Sequence, residues 1–327
     1  MSGTVPPDDA PRLPERRRRR GPIITTAVVA AVVVIGAVTA LVLVNRPGGS
    51  DAAAGSGSAA AAPARTVTIG IADISQPYWT TFAAIAKDDL NVTVKYVNFT
   101  DYSQPNPALT QKQLDLNEFQ HLQYLANYNV TNDQDLQPIG ATAIYPLPLY
   151  SSKYSSAGDL PAKAKVAIPN DAVNQARGLL VLQSAGLLTL KDGGTAFSTT
   201  KDIETAKVEV QAIDASQTAT ALKNGSVAAA IVNKNYAVDA GLPKDQVIAE
   251  DDPSSAGAEP YVNAFVARKA DAADPVLLKL AALYHDASIT DEVQEENGGD
   301  AVFQTWSPAK LQSILATVET DAKAAQQ

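Results

Sequence analysis

The chain has no cysteine and only two histidines, His121 and His285, in its 327 residues. Without cysteine there are no disulfides, no thiolate nucleophile and no cysteine-ligated zinc. The two imidazoles stand 164 residues apart and neither falls in a metal-ligand spacing. Metal capture asks for several histidines, cysteines or clustered carboxylates. The G-x-S-x-G elbow, the H-E-x-x-H pair and the glycine-rich phosphate loop are also missing. These absences point away from an enzyme, a metal protein and any cofactor-dependent activity. Positive charge is scarce as well. From Thr66 onward there are eighteen lysines and arginines against thirty-one acids, a balance of −13. That excludes a nucleic-acid binder, whose affinity comes from neutralising phosphates.

Charge of the other sign is concentrated at the start. Arg16 to Arg20 precede an uncharged apolar run from Ile23 to Val44. Its 22 residues are long enough, at 1.5 Å each, to cross a hydrocarbon core of about 30 Å. The arginines place residues 1–22 on the cytoplasmic side, by the positive-inside rule. A cleaved signal peptide is the rival reading, but its apolar stretch usually runs about 7–15 residues. The sequence therefore predicts a signal anchor at residues 23–44, a single-pass transmembrane helix. Residues 45–65, rich in Gly, Ala and Ser, read as a flexible linker.

Beyond the linker, strand and helix patterns alternate. Thr66–Ala72 is β-rich and alternating, Pro77–Asp89 has helical spacing, and Val92–Phe99 alternates again. Further strands are expected at 141–145, 165–169, 208–213, 227–232 and 261–267, with helices at 170–187, 217–224, 274–285 and 307–325. This order predicts an α/β fold with mostly parallel sheets, and the length allows two lobes.

Two segments carry recognition chemistry. In "LDLNEFQHLQYL", Phe119 and His121 share a face if the stretch is extended, and His121 and Tyr124 share one if a helix begins there. A strand-to-helix junction would aim all three into one cleft; the plainer reading is a core Phe, a capping His and a surface Tyr. In "IPNDAVNQARGLL", Asn170 or Asp171 caps a helix on whose first turns Asn174 and Arg177 lie three apart. That end suits an anion, and a guanidinium fork fits a carboxylate as lysine cannot. Arg177 and Arg268 are the two arginines of the last 262 residues. For Arg177 an ion pair with a nearby acid is the competing reading. Arg268, in "VARKADAADP", reads as a solvated loop charge.

Five ordered segments resemble the methionine-binding, NlpA-type family of solute-binding proteins that serve ABC importers. They are "FTDYSQPNPALTQKQLDLNEFQHLQYL", "IYPLPLYSSKYSSAGDLP", "VAIPNDAVNQARGLLVLQSAGLLTLKDG", "AAIVNKNYAVDAGL" and "EPYVNAFVARK". The resemblance implies a two-lobed periplasmic-binding fold of type II, with residues 66–145 and 261–327 in lobe 1 and 146–260 in lobe 2. It implies that Tyr102, Phe119, His121 and Tyr124 wrap a thioether side chain, that Arg177 clamps a carboxylate with Asn174 beside it, and that Asn233 reaches the amino-acid head group. It further implies methionine as ligand and an importer permease and ATPase as partners, with the protein a monomer and its binding domain outside the cell membrane. The rivals are another amino acid or short peptide as ligand, or an envelope sensor not coupled to transport. Two departures stand out. Family members carry lipid on an N-terminal cysteine that is absent here, which leaves anchoring to residues 23–44. Lys234 stands where a small polar residue is usual.

Overall fold

A computed structural model describes residues 63–326, so the basic tail, the apolar run 23–44 and most of the linker lie outside the described residues. Among the described residues no helix is long and apolar enough to cross a membrane. The chain begins with β1 (Arg65–Ile71), α1 (Tyr78–Leu90), β2 (Val92–Asn98), α2 (Pro105–Thr110), β3 (Leu116–Asn117), α3 (Leu122–Asn132) and β4 (Gln137–Ile144). A second set follows: β5 (Leu149–Tyr150), β6 (Lys165–Pro169), α4 (Ala172–Ser184), β7 (Leu188–Leu190), β8 (Ile203–Ala206), β9 (Glu209–Ile213), α5 (Ala215–Lys223), β10 (Ala229–Ile231), α6 (Lys234–Asp239) and β11 (Val247–Ala249). Then β12 (Val262–Ala267), α7 (Pro275–Ala282), α8 (Ala287–Glu296), β13 (Val302–Phe303) and α9 (Pro308–Ala324) complete it.

The strands form two main sheets, one per lobe. The larger has the order β13-β4-β12-β3-β1-β2 and the smaller β11-β5-β10-β6-β9. Strand alternation explains why each sheet is a middle layer with a core on both faces. Along β10, Ala229 and Ile231 face one side and Ala230 the other. β4 also feeds both cores, Ile139 and Ala143 one and Ala141 and Ile144 the other, but without strict alternation, and its register against β12 shifts along its length. In α1 the spacing of Trp79, Phe82 and Ala86 gives a single buried face, packed with Phe265 and Tyr284. Asn91 adopts a left-handed conformation (φ 53°) that ends α1 and turns the chain straight into β2, a conformation asparagine tolerates.

The sheets are mixed, which corrects the expectation of mostly parallel pairing. β1 runs parallel to β2 and β3, but β12 is antiparallel to β3 and β4, and β13 is antiparallel to β4. The cause is connectivity. The chain leaves the larger sheet at the end of β4 and re-enters it in β12, with Ile144 paired to Val262. An exit and a return placed side by side must run in opposite directions. In the smaller sheet β5 is likewise antiparallel to β10 and β11, while β6 runs parallel to β9 and β10.

Candidate ligand-binding site

One cavity is lined from both lobes, and it receives Tyr102, Phe119, His121 and Tyr124 from the first and Asn174, Arg177 and Asn233 from the second. The aromatic side is built on the short strap between β3 and α3. Three buried amides hold that strap. Asn106 Nδ2 donates to Gln120 Oε1 (2.7 Å), Asn117 Nδ2 to Asn106 Oδ1 (2.9 Å), and Gln120 Nε2 to Asn106 Oδ1 (2.6 Å). His121 is the N-cap of α3, its Nδ1 accepting the Tyr124 N–H at 3.2 Å. The ring proton therefore sits on Nε2. Burial, with the Arg177 charge adding to it, pushes the imidazole down to about 3, so it is neutral at physiological pH. Phe119 lies 5.8 Å from Tyr124 and 6.0 Å from Tyr102, centroid to centroid, and Tyr236 of α6 lies 5.0 Å from Tyr102. Capping histidine and cavity-lining histidine are thus the same residue.

The polar side is built on the first turns of α4. Asp171 caps the helix by accepting from the Asn174 N–H (2.9 Å), and it also takes the Asn174 side-chain amide at 3.0 and 3.1 Å. This carboxylate occupies the helix end that the sequence offered to an outside anion. Burial raises the Asp171 carboxyl, against the pull of those donors. Fixed in this way, Asn174 Oδ1 accepts from Asn233 Nδ2 at 2.9 Å. Asn233 Oδ1 is then buried without a hydrogen-bond partner, an unusual state for a native polar atom.

Arg177 is only 5% exposed. Its Nε donates to Asp251 Oδ2 (2.6 Å), and its Nη2 to Asp251 Oδ1 (3.1 Å) and the Tyr145 carbonyl (2.8 Å). The guanidinium also stacks 4.2 Å over the Tyr261 ring. The ion-pair reading therefore describes two of its nitrogens. Among the described residues the third, Nη1, makes no hydrogen bond. Asp251 is distant in sequence, so no local spacing could have named it.

Arg268 is not a solvated loop charge. Its side chain is 18% exposed and pairs with Asp271 at 2.6 Å, while Nη1 donates to the carbonyls of Leu109 (3.0 Å) and Leu114. It clamps the turn between α2 and β3. Lys234 lines the cavity and pairs across the lobes with Asp300 (3.1 Å), which Lys244 also contacts. α6 makes most of the remaining cross-lobe bonds: Tyr102 OH to Asn235 Oδ1, Asn235 Nδ2 to the Ala72 carbonyl (3.2 Å), and Tyr236 OH to the Thr100 carbonyl (3.0 Å). Ser75 Oγ to Asp239 Oδ1 (2.6 Å) adds another.

The cavity wall also contains residues that sequence reasoning missed, among them Asp73, Gln76, Glu118 and Asn263. Asn263 lies in a quoted segment, "EPYVNAFVARK", and Glu118 directly precedes Phe119; Asp73 and Gln76 carried no motif. Chemically the cavity offers an aromatic wall, an anion-seeking guanidinium edge and amide carbonyls that lack donors. Among the described residues no serine or carboxylate is hydrogen-bonded to His121 as in a catalytic pair.

The NlpA lipoprotein family model matches residues 67–306. A probable D-methionine-binding lipoprotein, MetQ, of Pasteurella multocida is 39% identical over 211 residues, 63% of this chain and 74% of its own length. The substrate binding protein of a methionine transporter from Streptococcus pneumoniae has TM-score 0.68 at 34% identity, covering 74% of this chain and 96% of that one. A nutrient binding protein from Burkholderia cenocepacia, solved bound to methionine, has TM-score 0.67 at 33% identity, covering 73% of this chain and 99% of that one.

Proposed function

The chain belongs to the NlpA lipoprotein family, and from that premise we infer that it captures methionine outside the cell and delivers it to an ABC importer. The observation that carries this reading is the interlobe cavity, in which an aromatic wall shares the space with the Arg177 guanidinium and the donor-less Asn233 carbonyl. Tyr102, Phe119, His121 and Tyr124 surround the thioether, and sulfur packed against aromatic rings contributes about 0.3–1.5 kcal/mol per contact. Neutral His121 adds a polarisable ring without burying a charge. The carboxylate of the ligand takes Nη1 of Arg177, whose orientation Asp251 and Tyr261 have already fixed. Asn233 Oδ1, lacking a donor of its own, accepts from the ligand's ammonium, and Asn174 holds that amide in place.

In this reading lobe 1 comprises residues 66–145 and 261–327, and lobe 2 comprises 146–260. The protein acts as a monomeric receptor and not as an enzyme, with a permease and an ATPase as its downstream partners. Residues 23–44 tether it to the membrane, because the chain has no cysteine to carry a lipid. A membrane-associated protein whose N-terminus begins near Arg65 would overturn the tether. Mass spectrometry of small molecules released by denaturing the natively purified protein tests the ligand. Methionine is the expected species; a different amino acid or a short peptide recovered in stoichiometric amount would contradict the assignment.

A further inference from the structure

A zwitterionic ligand brings two charges, and the seven residues given roles above answer only one. Arg177 meets the carboxylate, but none of the seven offers an anion to the ammonium. Burying an ammonium among neutral amides costs several kcal/mol unless a counter-charge is present. The cavity wall does contain anions. Asp73 and Glu118 both line it, from the turn after β1 and from the strap before α3. The cations that share the wall are already matched, Arg177 by Asp251 and Lys234 by Asp300. Asp73 accepts from the Tyr78 hydroxyl and from Trp79 Nε1 (2.8 Å), and Glu118 Oε1 from Thr142 Oγ1 (2.9 Å). Among the described residues neither carboxylate has a cationic partner.

A second observation points the same way. Gln76, on the same wall and only 7% exposed, has its Oε1 buried without a hydrogen-bond donor. Two carboxylates and a donor-less carbonyl on one wall make a site for a group that carries positive charge and several N–H bonds. We propose that Asp73, Glu118 and Gln76 form the ammonium-receiving wall of the cavity, with Glu118 a counter-charge to the bound ammonium. The proposal rests on the methionine reading and deepens it.

The groups facing Glu118 decide the direction of its titration. They are Asp73, Tyr145 and Tyr284, with neutral His121 farther along the strap. Burial, then the Asp73 charge, raises Glu118 to about 8, and burial raises Asp73 to about 6. At pH 7 the empty cavity therefore holds Asp73 largely ionised and Glu118 largely protonated. An arriving ammonium favours the charged carboxylate, so Glu118 gives up its proton to solvent. Release of a proton on binding means that affinity strengthens with rising pH, here between pH 6 and 8, by up to tenfold per unit for one proton.

The test compares methionine with its des-amino analogue, 4-(methylthio)butanoate, by calorimetry at pH 7 in two buffers of different ionisation enthalpy. The wild type should bind methionine at least tenfold more tightly, and its methionine enthalpy should differ between buffers by a released fraction of a proton. The analogue should release none. Glu118→Gln, which preserves shape and the Thr142 bond, should lose the proton release and most of the preference while binding the analogue within threefold of wild type. Buffer-independent methionine binding by the wild type overturns the proposal whatever the variant does, as does proton release that persists in Glu118→Gln. A wild type that binds no methionine at any pH overturns instead the functional reading beneath it.

Discussion

Arg177 commits two of its three guanidinium nitrogens to Asp251 and the Tyr145 carbonyl, and we propose the third for the ligand carboxylate. Truncating one partner of a buried, hydrogen-bonded charge pair costs roughly 2–5 kcal/mol. At about 1.4 kcal/mol per tenfold, Arg177→Ala should weaken methionine binding by roughly 30- to 3,000-fold. Arg177→Lys should recover only part, since a point charge cannot serve Asp251, the carbonyl and the ligand in one plane. The same truncation strips Asp251 of its cation, so Arg177→Ala should also melt earlier. Arg268→Ala should behave oppositely. It removes hydrogen bonds to Leu109 and Leu114, which do not line the cavity, so stability falls by about 1–3 kcal/mol while affinity stays within threefold. Titration and thermal melting of the three variants decide it; methionine affinity unchanged in folded Arg177→Ala would remove the arginine from the site. The contrast also marks how far residue-level reading reached. The scarcity of arginine singled out Arg177, but composition says nothing about which carbonyls a folded loop presents, so Arg268 was misjudged. Asp73 and Gln76 enter the cavity through tertiary placement alone.

At the level of elements, β1, α1, β2, α4 and α9 were legible from apolar spacing near two or 3.6, and β6 and β12, buried on both faces, as short apolar runs. The two-residue strands β3 and β5, the β7–β8 hairpin and α6 were not. They are too short for a period to register, and their partners lie far along the chain. α6 matters most among these. It carries Lys234, Asn235, Tyr236 and Asp239, each bonded to the opposite lobe. Lys234 and Asp300 are both mostly buried, with side-chain exposures of 14% and 15%. Asp300→Asn would leave Lys234 without its counter-charge at the lobe boundary, and Lys244 would lose a contact more exposed to solvent. We predict that this change speeds methionine release by about 5- to 30-fold, an effect of order 1–2 kcal/mol, with little change in association rate. Stopped-flow displacement reads it directly; an unaltered release rate would show that the pair does not hold the lobes together.

The described residues form two lobes whose sheets exchange the chain through β4 and β12, with the cavity between them. Two lobes joined by few crossings suit a hinge motion that buries ligand, and the α6 contacts describe its closed arrangement. Solution scattering should therefore give a smaller radius of gyration for the methionine-saturated protein than for ligand-stripped protein, and identical profiles would argue for a rigid cleft. The two-lobed architecture was legible through the ordered motifs, whereas the mixed sheets follow from the antiparallel crossing of exit and return strands, which no strand pattern records. The central claim is that this cavity exists to hold methionine. Calorimetric titration of the ligand-stripped protein with methionine, beside alanine and glutamate, tests it most directly. Saturation is expected at one methionine per chain, with the other two bound at least a hundredfold more weakly. Saturation by either of them at lower concentration than methionine, or no methionine binding by folded protein, would contradict it.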